Sequence, residues 1–325
     1  MWSVRHRWWL AGIAGGLVVV GVAALWPHEP PTLKERFAAE REVLQALVRA
    51  DDVPAALVRL RQVAEADVTL AGHCHGLAHA IGHAALDTFG WARAVQLTDD
   101  ICGSGVLHGV VERRFSTVER AELPTLTRDL CPPDDRRCFH GLGHGLMVAV
   151  GDDVPAALAL CATLTGFRRI QCAEGVYMEW FGLESDHGRI PNVDTFLPLC
   201  LGVADPERAV CAFYAPRAYL TAKPLAYIEA RAWCQQLPAA TVLACLKGVG
   251  SAAMKAHVLE PALALRACEE LVDDARAACV QGLVSYRAVH FASGAKAADL
   301  CQLLTGVDAS SCERGIAEAV RAYGS

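Results

Sequence analysis

Ten of the cysteines fall into five pairs that share one spacing. Cys161 and Cys172 are 11 residues apart, and so are Cys200 and Cys211, Cys234 and Cys245, Cys268 and Cys279, and Cys301 and Cys312. The first member of each pair recurs after 39, 34, 34 and 33 residues. Self-similarity at that period marks a stack of helical hairpins, in which each unit buries its apolar face only against its neighbours.

The residues around the cysteines say how a unit is built. An Ala/Leu-rich helix runs into the first cysteine, as in PAALALC (155–161), LALRAC (263–268) and KAADLC (296–301). The second cysteine opens another helix, as in CAEGV (172–176), CLKGV (245–249), CVQGL (279–283) and CERGI (312–316). An 11-residue offset across a tight turn brings the end of one helix beside the start of the next, so each pair reads as a disulfide stapling a hairpin. Thiolate zinc sites are disfavoured, because pairs strung along a repeat cannot gather four sulfurs at one ion. Cys131 and Cys138 are a tightened version of the staple, and Cys74 and Cys102 then pair with each other by elimination. DDVPAAL occurs at 51–57 and again at 152–158, so the repeat begins before its cysteines do. The expectation is an all-α, α/α-hairpin repeat solenoid of about eight units and period about 34. One insertion, LESDHGRIPNVD (183–194), reads as a projecting loop in which His187, with Glu184 and Asp186, is a candidate lid residue.

This design resembles the cysteine-stapled α/α repeats of the Sel1-like class over roughly 70–325. The resemblance rests on period and cysteine pairing. The spacing within pairs and the histidines depart from that class, so it implies a fold and no reaction.

Composition sets the compartment and excludes one partner class. All 14 cysteines lie beyond residue 31, as befits an oxidising compartment. Arg5 and Arg7 precede 19 uncharged residues from Trp8 to Trp26, close to the ~20 that a membrane-crossing helix needs. With the arginines cytoplasmic, the chain divides into a signal anchor and linker (1–31) and an extracytoplasmic repeat domain (32–325), a single-pass membrane protein attached through its N-terminal helix. The alternative is a secreted chain cleaved near Val22-Ala23-Ala24. Net charge is −6 without a basic patch, which argues against nucleic acid.

Histidine carries the chemistry of this histidine-rich chain. HCHGLAHAIGH (73–83), CGSGVLHG (102–109) and CFHGLGHG (138–145) are three versions of one segment. With the glycine of each second helix set to zero (Gly76, Gly105, Gly141, Gly175, Gly248, Gly282, Gly315, and Tyr214 in the fifth unit), position +1 is apolar in all eight units. Position −1 lies about 160° away, so −1, +3 and +7 form a stripe facing away from that core, toward the concave groove. The stripe carries His75, His79 and His83, then Ser104, His108 and Glu112, then His140 and His144, then Glu174 and Met178. His79, His108 and His144 share position +3 on three successive helices.

Imidazoles with carboxylates suit zinc, iron or copper. The expected metal ligands are His75, His79, His108, His140 and His144, with Glu112 and Glu174 as bridging ligands or general base. HExxH and CxxCH are absent, which excludes the common zinc-peptidase layout and covalent haem. Three functions follow: a metal-dependent hydrolase or oxidoreductase, a protein that sequesters or senses a metal, or a scaffold whose groove takes a peptide or protein. Arg217, Lys247 and Arg314 continue the stripe and are candidates for holding an anionic group.

Overall fold

The two DDVPAA segments fold alike. Asp52 Oδ1 accepts from the Ala55 amide at 3.1 Å, and Asp153 Oδ1 accepts from the Ala156 amide at 3.0 Å. In both helices proline occupies the first turn, where its missing N–H costs nothing. The computed structural model describes residues 30–182 and 192–323. Among these residues every element is helical. The helices are α1 (Leu33–Arg49), α2 (Val53–Ala66), α3 (Cys74–Phe89), α4 (Trp91–Ala94), α5 (Ile101–Phe115), α6 (Leu123–Asp129), α7 (Arg136–Val150), α8 (Val154–Cys161) and α9 (Phe167–Phe181). They continue with α10 (Phe196–Leu201), α11 (Glu207–Ala222), α12 (Tyr227–Cys234), α13 (Ala239–Ala256), α14 (Pro261–Ala264), α15 (Asp273–Phe291), α16 (Gly294–Cys301) and α17 (Val307–Tyr323).

Residues 37–325 make one unit, and residues 1–36 another. In the latter, Thr32 and Glu35 form a capping box: the Thr32 amide donates to Glu35 Oε2 at 2.8 Å, and the Glu35 amide donates to Thr32 Oγ1 at 3.3 Å. The segment proposed as an anchor (8–26) and residues 183–191, with Glu184, Asp186 and His187, lie outside the described residues. Among the described residues, no helix is long and apolar enough to cross a membrane.

From α3 onward the odd-numbered helices are long and the even-numbered ones short. Each long helix packs chiefly on the long helices before and after it, so eight of them line the inside of the array. Position +1 is the reason: Leu77, Val106, Leu142, Val176, Ala215, Val249 and Leu283 are all fully buried. The short helices run along the outside, and the disulfides tie them in. All seven expected pairs form: Cys131–Cys138, Cys161–Cys172, Cys200–Cys211, Cys234–Cys245, Cys268–Cys279, Cys301–Cys312, and Cys74–Cys102, which joins the starts of α3 and α5.

Two expectations are corrected. The second cysteine of a staple does not open its helix. In the 11-residue staples it lies one turn or more inside, as with Cys172 in Phe167–Phe181 and Cys279 in Asp273–Phe291, because the chain re-enters helix directly after the turn. The array also does not leave an open groove. It curls until the last two hairpins meet the first two: α15 packs on α5 and α2, His290 Nδ1 lies 3.4 Å from Cys74 Sγ, and Lys296 Nζ on α16 pairs with Glu65 at 2.5 Å. Lys247 on α13 likewise pairs with Glu318 on α17. The stripe that faces away from the core therefore faces a second, polar interior.

Candidate metal centre

The long helices approach one another at backbone contact, and glycine permits it. A Cβ on Gly109 would run into the carbonyl oxygen of His79, and one on Gly175 into that of His140. Any larger residue would push these helices apart and separate the +3 side chains they carry. With glycine, imidazoles from three helices come into ring contact. The centroids of His79 and His144 are 5.1 Å apart, those of His75 and His108 5.2 Å, and those of His108 and His144 5.4 Å.

Four of these histidines, His75, His79, His108 and His144, each present a ring nitrogen within 4.8 Å of the others. Their remaining partners fix which nitrogens face inward. His75 Nδ1 is 2.6 Å from the carbonyl oxygen of Cys102, which can only accept, so Nδ1 carries the proton. His79 Nδ1 donates to Glu112 Oε2 at 2.7 Å, and His144 Nδ1 donates to Glu179 Oε2 at 2.8 Å. Three imidazoles are thus held in the tautomer that leaves a lone pair on Nε2, the arrangement of carboxylate– or carbonyl–histidine–metal triads. Nε2 of His75 and of His79 face each other at 3.0 Å. Two lone pairs cannot hydrogen-bond, so this contact needs a cation between them or an added proton on one ring. Nε2 of His144 and both ring nitrogens of His108 are buried without a hydrogen-bond partner. Three partnerless buried nitrogens beside that contact are costly unless something binds them. A tetrahedral zinc with bonds of about 2.0–2.1 Å holds its donors about 3.4 Å apart, within the span observed.

The Cys102 carbonyl is aimed by an unusual piece of backbone. Cys102, Gly103 and Ser104 are all left-handed, with φ of 56°, 68° and 59°. Only glycine adopts that region freely, and each of the two L-residues costs roughly 1–2 kcal/mol there. The disulfide to Cys74 holds this turn against the start of α3, and the regular helix resumes at Gly105. The strain lies at a residue that touches the site.

Electrostatics favour neutral His108 and His144 beside an ionised Glu112. Burial pushes His108 and His144 well below the usual imidazole range, and the neighbouring histidines push the same way. Burial pushes Glu112 up, but hydrogen bonds from His79 and His83 and their attraction outweigh it and hold the carboxyl well below its usual value. His83, at 3.3 Å from Glu112 Oε2, makes with His79 and Glu112 a second, more open group of donor atoms. A cleft of about 160 Å³ leads to His75, His79 and His144, with Glu112, Glu179 and Arg217 on its walls.

Not every candidate residue joins the centre. His140 stacks on His108 at 4.8 Å, but its Nε2 contacts Met178 Sδ at 3.2 Å and it belongs to neither group of donor atoms. Glu174 accepts from Gln171 Nε2 at 2.8 Å, lies 3.7 Å from His140 Nδ1 and stays outside both groups and the cleft. Arg217 lines the cleft, whereas Lys247 is engaged with Glu318 and Arg314 donates to Ser311 Oγ at 2.9 Å. Glu179 was not legible: it occupies +4, one residue off the stripe, and reaches His144 because the neighbouring helix lies so close. His290, given no role from sequence, is buried where the curled array meets itself, its Nε2 3.2 Å from the Ala64 carbonyl oxygen.

The chain matches no family model, no curated protein and no solved structure.

Proposed function

We propose that the protein is an extracytoplasmic metalloprotein that binds one transition-metal ion through His75, His79, His108 and His144, and that it is a metal-dependent hydrolase or oxidoreductase. The observation that carries the metal is the pair of facing Nε2 atoms, His75 and His79, whose Nδ1 protons are already committed elsewhere. Imidazole donors without thiolate favour zinc, copper or iron, and the seven disulfides leave no thiolate to compete. Glu112 and Glu179 act in this reading as positioning residues that orient His79 and His144 and raise their basicity.

Catalysis is supported by access: the cleft reaches three of the four histidines and is of a size for a small molecule rather than a peptide chain. The competing reading, sequestration or sensing, is favoured by the fourth histidine, which fills the position a zinc enzyme leaves open to water. An N-terminal anchor over residues 8–26 would display the domain at the outer face of a membrane.

The test is elemental analysis of the full chain, exported to an oxidising compartment and purified without a polyhistidine tag. About one metal ion per chain, lost in His79→Ala and His144→Ala, is the expected result. A ratio near zero, or one that both substitutions leave unchanged, defeats the proposal. Water coordination to the bound ion, read by spectroscopy of the cobalt-substituted protein, separates an open catalytic site from a filled one.

A further inference from the structure

The fifth long helix places an arginine where the first three place histidine. Arg217 occupies position +3 of α11, in register with His79, His108 and His144, and lines the cleft that leads to them. Its guanidinium lies between two aromatic rings, 5.0 Å from the Tyr214 centroid and 5.5 Å from that of Tyr286. Its Nε is buried with no hydrogen-bond partner, and among the described residues no carboxylate pairs with it. Aromatic faces attract a cation but do not satisfy its N–H groups. A guanidinium fixed this way presents a planar fork with donors to spare, the geometry that takes a carboxylate or phosphoryl oxygen pair.

A second cleft, of about 100 Å³, meets the first at Arg217 and at His75. Its walls include Phe213, Tyr286 and Val289, a largely apolar lining. The two clefts therefore put three surfaces around one small volume: metal-binding imidazoles on one side, a guanidinium in the middle and an aromatic wall beyond.

Resting on the metal reading above, we infer that Arg217 is an anion clamp and that the ligand of this site is an organic oxyanion with a flat apolar body. The anionic group sits on the Arg217 fork beside the metal centre, and the body lies along Phe213 and Tyr286. This narrows the substrate class from any small molecule to carboxylates, phosphates or phosphonates that carry an aromatic or similarly flat group.

The test is titration calorimetry of the full chain, zinc-loaded and zinc-free, with phenylphosphonate as probe, inorganic phosphate as the anion without a body, and benzyl alcohol as the body without an anion. Phenylphosphonate is expected to bind at least tenfold more tightly than phosphate, and benzyl alcohol not to bind measurably. Arg217→Gln is expected to weaken phenylphosphonate tenfold or more while the zinc-to-protein ratio is unchanged, and Tyr286→Ala to remove most of its advantage over phosphate. Should Arg217→Gln fail to fold, Arg217→Lys keeps the charge without the fork and is expected to weaken binding several-fold. Zinc binding with no phenylphosphonate binding, or binding that Arg217 substitution leaves unchanged, overturns the clamp and leaves the metal centre standing. Arg217-dependent binding in a chain that takes up no zinc overturns the metal centre and leaves the clamp standing.

Discussion

The first four long helices and the last four are built on one plan and do different things with it. Both halves bury position +1, Ile316 of the last unit only in part, carry a small residue at or near zero and pack backbone against backbone. At position +3 the first half has His79, His108, His144 and Met178, and the second has Arg217, Ser251, Ser285 and Glu318. The covalent bracing differs as well. The second half staples every hairpin in the same way, whereas the start of the first half spends its disulfide on joining two long helices, Cys74 to Cys102. That departure falls where the strained turn holds a carbonyl on His75. The regular half shows what the repeat needs to fold, and what the irregular half adds to it marks the site.

Substitution at one shared position tests this contrast most strongly. His108→Ala is expected to lower metal affinity at least a hundredfold, because it removes one of the four imidazole donors of the centre. Ser285→Ala at the same position in α15 is expected to leave metal content unchanged, as read by competition with a chromophoric chelator. Equal losses from both would mean that the stripe is structural throughout.

Removing a disulfide from each half sharpens the comparison. Cys268→Ser with Cys279→Ser, and Cys74→Ser with Cys102→Ser, are each expected to cost about 2–5 kcal/mol in denaturant unfolding. Only the second pair is expected to weaken metal binding under native conditions, since only it frees the turn that carries the His75 partner. The orienting carboxylates come next: Glu112→Gln and Glu179→Gln are each expected to lower metal affinity about 10–100-fold with the helical signal intact. Glu174→Gln, outside the centre, is the control with no expected loss.

The smallest effect is one of pH on the metal-free chain. His108 and His144 titrate below their usual range in the fold. The unfolded chain therefore binds more protons as pH drops below about 6.5, and stability, held above that value, falls by up to about 1.4 kcal/mol per pH unit per group. His108→Gln is expected to flatten that slope in urea titrations between pH 7 and 5.

Much of this was legible in the order of residues. The staples could be read because a disulfide demands two chain positions at bonding distance, which a fixed 11-residue offset across a turn meets five times. His79, His108 and His144 could be read because register on stacked helices is a matter of counting. Legibility ended where a neighbouring helix decides a side chain's partner. His75 and His140 hold the same position, yet one turns to the centre and the other to Met178. Glu179 serves the site from one position off the stripe, and Glu174 on the stripe does not join it. The left-handed turn at 102–104 has only Gly103 to announce it, and the closure of the array, which turns a groove into an interior, is set by small rotations summed over seven hairpins.

The four-imidazole centre is tested most directly by X-ray absorption at the zinc edge of the zinc-loaded full chain. The account predicts a first shell of three to four imidazole nitrogens at about 2.0–2.1 Å, with the imidazole scattering reduced in His144→Ala. Sulfur in the first shell, or a spectrum that His144→Ala leaves unchanged, would contradict it.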